Sequence, residues 1–131
     1  MGPCPLPGGK VIFVSNRHGF RPPKSPGGGM PALQLFTMDD SDEGPATNVE
    51  CIGFLNVACA LHPVVLMDGR VMFSSMESEG LRTQLEWGLW TIHPDGTQWN
   101  PLVSAFATEG GAVNSFHFQT QISDGSIVFE E

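Results

Sequence analysis

Short apolar runs rich in β-branched and aromatic residues recur along this chain, each bounded by Gly, Pro, Asp or Asn rather than by a helical period. The clearest lies in His62 to Ser75, HPVVLMDGRVMFSS, where an apolar approach meets an Asp68-Gly69 turn and leaves as Val71-Met72-Phe73. The same order occurs near the N-terminus in Pro3 to Ser15, PCPLPGGKVIFVS, and at the other end in His117 to Glu131, HFQTQISDGSIVFEE. Gly9, Gly69 and Gly125 align as the turn glycines, 60 and 56 residues apart. Each copy is a two-residue hairpin signal, because such turns need a positive φ that glycine adopts without strain. Self-similarity at this spacing marks a repeat architecture.

The pattern continues beyond the hairpins. Leu33 to Asp39, LQLFTMD, matches Trp87 to His93, WGLWTIH, and predicts a third strand in each of the first two repeats. An Asp- and Gly-rich turn follows each, Asp40 to Gly44 in one and Pro94-Asp95-Gly96 in the other. Weaker strands are then expected over Asn48 to Ile52 and Gln98 to Val103. The count is four strands per repeat: a first unit over about 3–57, a second over about 58–115, and the opening two strands of a third over 116–131. The extra residues of the first unit fall in Arg17 to Pro31, RHGFRPPKSPGGGMP, read as an exposed loop because its Pro and Gly exclude a strand or helix interior. No window keeps a helical period for more than a turn or two.

Composition agrees with this reading. Sixteen Gly and eleven Pro in 131 residues, with only 15% charged side chains, suit a single domain of many short strands. The net charge of −8 removes nucleic acid from the expected partners, since no basic track can follow a phosphate backbone. No apolar run is long enough to span a bilayer, and residues 1–20 lack the pattern of a signal peptide, so the chain as written reads as cytoplasmic. Cys4, Cys51 and Cys59 fit no metal or redox spacing and read as structural thiols, with Cys51 and Cys59 in apolar surroundings.

Asp68-Gly69-Arg70-Val71-Met72-Phe73-Ser74-Ser75, Leu89-Trp90-Thr91-Ile92 and Pro94-Asp95-Gly96-Thr97, with flanking copies at Gly9 to Ser15 and Asp124 to Phe129, resemble the blade of TolB-like, WD-repeat-like β-propellers. The likeness covers nearly the whole chain. It implies an all-β protein of β-propeller-type blades with four antiparallel strands, in a family that is often exported. Propellers close with four to eight blades, and about two and a half are present. Three outcomes stand open: a piece of a longer protein, a ring completed by self-association, or collapse into a smaller sandwich. Self-association into a homo-oligomer is the expected partnership, with another protein as the alternative partner.

Candidate chemistry is sparse. His62 and His117 stand seven and eight residues before their turn glycines, where the resemblance implies the mouth of a central channel. Two imidazoles there would suit a metal or small ligand, or would simply bond neighbouring backbone. Asp39, Asp40, Asp42 and Glu43 make an acidic loop without the EF-hand spacing, and read as a solvated turn. The pairs Glu77/Glu79 and Glu130/Glu131 read the same way. Trp99, just after a turn, is the aromatic to expect as an exposed contact for a partner. Nucleophile-elbow, zincin, Walker and dinucleotide motifs are all missing, so no catalytic residue and no cofactor is expected. The resulting reading is a non-catalytic binding or scaffolding module; the alternative is a metal- or small-ligand-binding piece associated with an enzyme.

Overall fold

The computed structural model describes residues 1–22, 29–41, 44–53, 59–77, 86–105 and 114–131. Within them the protein is all-β, without an α-helix, and consists of three antiparallel sheets. The first holds β1 (Cys4–Leu6), β2 (Lys10–Ser15), β3 (Gln34–Asp39) and β4 (Glu50–Cys51) in chain order. The second repeats that order with β5 (Ala60–Val65), β6 (Val71–Met76), β7 (Trp87–Ile92) and β8 (Asn100–Val103). The third is the hairpin of β9 (His117–Gln121) and β10 (Ile127–Glu130). The central pairs run in the same register, from Lys10↔Asp39 to Ser15↔Gln34 and from Val71↔Ile92 to Met76↔Trp87.

The repeat is written in the backbone as well as in the residues. Leu61 pairs with Ser74 and Val64 with Met72, so two residues face one and the strand bulges. His117 pairs with Glu130 and Thr120 with Val128, which is the same bulge in the third sheet. In the first sheet Met1 and Val14 exchange backbone hydrogen bonds of 2.7 and 2.9 Å while Cys4 pairs with Ile12. Gly2, His62 and Phe118 occupy the matching bulge position, with φ of 58°, 54° and 53°. That left-handed backbone costs about 1 kcal/mol at His62 and at Phe118, where a Cβ crowds the chain. Glycine stands there without penalty only in the first copy.

The sheets stack face to face. Strands β1, β2 and β3 pack on β5, and β5 and β6 on β9. Backbone bonds stitch each junction: Ala60 N–H donates to the Leu33 carbonyl (2.7 Å) and Phe116 N–H to the Trp87 carbonyl (3.0 Å). The main core lies between the first two sheets, where Leu6, Ile12, Val14, Leu35 and Ile52 meet Ala60, Val71, Phe73 and Ile92. Strand alternation sends Val71 and Phe73 into this junction and turns Met72 and Ser74 toward the third sheet. Trp90 and Trp99 close its margin.

One feature adds to the expected picture and another departs from it: Arg17 to Arg21 are exposed, as expected of the Pro- and Gly-rich loop, and Glu77 is not. The start of the Pro- and Gly-rich loop folds back on the outer face of the first sheet, so Arg17 sets its guanidinium 5.3 and 5.5 Å from the Phe13 and Phe36 rings. His18 adds an edge contact to Phe36 at 5.3 Å, and Ala32 N–H donates to the Phe20 carbonyl at 2.7 Å. Glu77 is not a solvated turn residue. It is buried, and its carboxylate accepts from the Trp90 indole N–H (2.7 Å), Ala105 N–H (2.8 Å) and Ser104 Oγ (3.1 Å). Gly88 leaves room for it, since a Cβ there would overlap Glu77 Oε1 and press on the Val103 carbonyl.

Two substitutions test this architecture. Phe73→Ala opens a cavity at the centre of the main core and is expected to lower unfolding free energy by about 3–5 kcal/mol. Gly88→Ala is expected to destabilise by about 1–3 kcal/mol, by displacing a buried carboxylate from its donors. Denaturant titration measures both, and a loss below about 0.5 kcal/mol for either would contradict the packing described.

Candidate functional site

His62 on β5 and His117 on β9 come together where the second sheet meets the third. Their ring centroids lie 5.8 Å apart at 80°. Phe118 covers His62 at 4.4 Å, and Trp87 lies 5.0 Å from His117. His117 Nε2 is 3.3 Å from Ser115 Oγ, while its Nδ1 is buried without a hydrogen-bond partner. By backbone conformation the equivalent of His62 is Phe118, so the two imidazoles meet because β9 carries its histidine one residue earlier.

Polar bonds tie this junction together. Ser74 Oγ lies 2.8 Å from the Phe116 carbonyl and 2.9 Å from Gln119 Oε1. Gln119 Nε2 donates to the His62 carbonyl at 2.5 Å, and Met67 N–H donates to Gln121 Oε1 at 2.8 Å. The hairpin is thus held on the second sheet largely by glutamines that the sequence pattern did not single out.

Burial holds both histidines below the ordinary imidazole pKa, and the nearby His62 charge lowers His117 further against a raising pull from Glu130. Neutral imidazole is the ligating form, yet zinc takes three or four protein ligands. Among the described residues no group of three His, Cys, Asp or Glu side chains is placed to share a metal ion. Among the described residues the pair therefore lacks the third ligand of a zinc site.

The other candidates are placed differently from one another. Asp39 ends β3 and accepts from Lys10 Nζ (3.0 Å), Asn48 Nδ2 (2.5 Å) and Thr47 Oγ1 (3.3 Å). The bond from Lys10 leads the causes that hold its carboxyl below the usual range. Its oxygens pin the β2–β3 pair to the following turn. Asp40 is exposed and its N–H donates to the Gly9 carbonyl (2.8 Å). Asp42, with Glu43 and Glu79, lies outside the described residues. Trp99 is half-buried, edge-on to Phe73 at 5.2 Å and 6.0 Å from Trp90, so it serves the core rather than standing in solvent as expected. Cys51 and Cys59 are buried free thiols whose pKa burial raises.

Exposed apolar side chains gather instead on the third sheet. Phe118 is 65% exposed, Val128 52%, Ile122 44% and Phe129 37%. No strand among the described residues pairs with the outer edge of β10. Nor is any helix among them long and apolar enough to cross a membrane. No family model, curated protein or solved structure matches the chain.

The histidine pair sets a pH dependence. With native pKa values below 6.5, the unfolded chain binds more protons as pH falls, so stability is full above about 6.5. It declines as pH drops through that value and levels off beneath the native pKa values. Asp39, Asp68, Asp95 and Asp124 are depressed carboxylates and act only in more acid solution. Denaturant midpoints between about pH 7 and 5 should therefore fall in the native chain and flatten in His62→Gln/His117→Gln. Parallel slopes in the two proteins would exclude the pair as the cause.

Proposed function

We propose that this chain is a non-catalytic binding or scaffolding module of β-propeller-type units, which associates with a second copy through the open edge of its third unit. One observation carries the reading: the four-stranded units share a register, the second and third share a bulge, and among the described residues no strand fills the outer edge of β10, beside exposed Phe118, Ile122 and Val128. A bare sheet edge with apolar side chains is a template for another strand. The resemblance to TolB-like propeller blades supports the same reading, because such units are stable in stacked assemblies. The acidic balance argues against nucleic acid as the occupant.

A small ligand or metal held by His62 and His117 is the second reading, favoured by the buried Nδ1 of His117 and weakened by the missing third ligand. Metal analysis of the purified chain tests it; stoichiometric copurifying metal would support it and a metal-free product would not.

Light scattering across a dilution series tests the first reading. The expected result is a mass that falls toward one chain on dilution and rises with added salt, because two chains of charge −8 repel until screened. Val128→Lys, at an exposed position, should stay folded and shift the series toward monomer. A native chain that is monomeric throughout would refute self-association.

A further inference from the structure

The polar groups of β10 alternate in direction, and the hairpin turn shows which residues face out. Ile122 N–H donates to the Ser126 carbonyl at 3.0 Å, so Ser126 turns its backbone groups toward β9. Alternation then points Val128 the same way and turns the N–H and C=O of Ile127 and Phe129 to the open edge. In the second sheet Leu66 N–H donates to the Arg70 carbonyl (2.8 Å), and the matching residues Val71 and Phe73 face β7, their paired neighbour. The edge of β10 that no described strand fills therefore has the polarity that its counterpart uses to bind a strand.

Charge chooses among the registers by which a second β10 can fill it. The strand ends in Glu130, followed by Glu131, and is preceded at its other end by neutral Gly125 and Ser126, with Asp124 just before them. Parallel pairing would gather the acids of both chains at one end, and like charges side by side destabilise a sheet. Antiparallel pairing centred on Ile127 would set Glu130 against Asp124 of the second copy. Centring on Phe129 shortens the overlap and lays the acids on the apolar residues Ile127 and Val128. Centring on Val128 sets Ile127 opposite Phe129, Glu130 opposite Ser126 and Glu131 opposite Gly125, so no acidic side chain among Asp124, Glu130 and Glu131 lies opposite another.

We infer that two copies pair antiparallel through β10 about a two-fold axis at Val128, joining their third sheets into one four-stranded sheet. Ile127 and Phe129 exchange backbone hydrogen bonds across the axis, and exposed Val128 meets its own copy. This rests on the self-association proposed above and fixes its geometry. The interface is isologous and closes at two chains.

Disulfide trapping reads the register directly. Positions 126, 128 and 130 lie in non-hydrogen-bonded pairs across the axis, where Cα atoms about 4.5 Å apart admit a disulfide. In a Cys4→Ser background, with Cys51 and Cys59 buried, Val128→Cys should convert mostly to a linked dimer in a glutathione redox buffer. Ser126→Cys and Glu130→Cys should link when mixed, and neither should link alone. Preferential linkage of Val128→Cys with either Ser126→Cys or Glu130→Cys would assign a shifted register and overturn the inference. A chain that dimerises by light scattering yet forms none of these links would overturn it too, while leaving self-association standing. A chain monomeric by light scattering removes both.

Discussion

The constraint on which this structure depends is that the apolar face of a sheet must be covered by something. In the first junction the cover is apolar, with Phe73, Val71 and Ile92 against Ile12, Val14 and Leu35. Burying large side chains of this kind contributes about 1.5–3 kcal/mol apiece, which suffices to fix the first two sheets as one body. The stitching bonds from Ala60 to Leu33 and from Phe116 to Trp87 then set where each sheet begins relative to the last.

The second junction is built from different material. Ser74, Gln119, Gln121 and the carbonyl of His62 hold the hairpin by hydrogen bonds, and the histidine pair sits among them. A net hydrogen bond contributes about 0.5–1.5 kcal/mol, less than a buried aromatic. Burial there also holds both imidazoles below their ordinary pKa, so protonating them works against the junction.

Much of the fold was legible because turn chemistry and strand alternation are local. The Asp-Gly and Gly-Gly turns, the β-branched runs after them and the paired third strands each leave a mark over a few residues, and they located the strands to within a residue or two. What escaped was what depends on contacts between segments. Glu77 looks like one acid among several until Trp90, Ser104 and Ala105 converge on it and Gly88 makes room. Trp99 looks exposed after its turn, yet Phe73 offers it a ring edge. Asp39 looks like part of a solvated turn, yet Lys10 and Asn48 occupy its oxygens. The coming together of His62 and His117 was foreseeable only in part, because the bulge puts Phe118 and not His117 at the equivalent backbone position.

That bulge also bears on the open edge. It places Phe118 in a left-handed conformation, largely exposed, beside His62 and near β10, whose outer edge no described strand fills. A non-glycine residue at such a φ costs free energy in the isolated chain, and glycine in the first copy avoids that cost. An aromatic there instead enlarges the apolar surface next to β10. Strain, exposure and an edge that no described strand fills thus gather at one end of the molecule, apart from the filled core between the first two sheets.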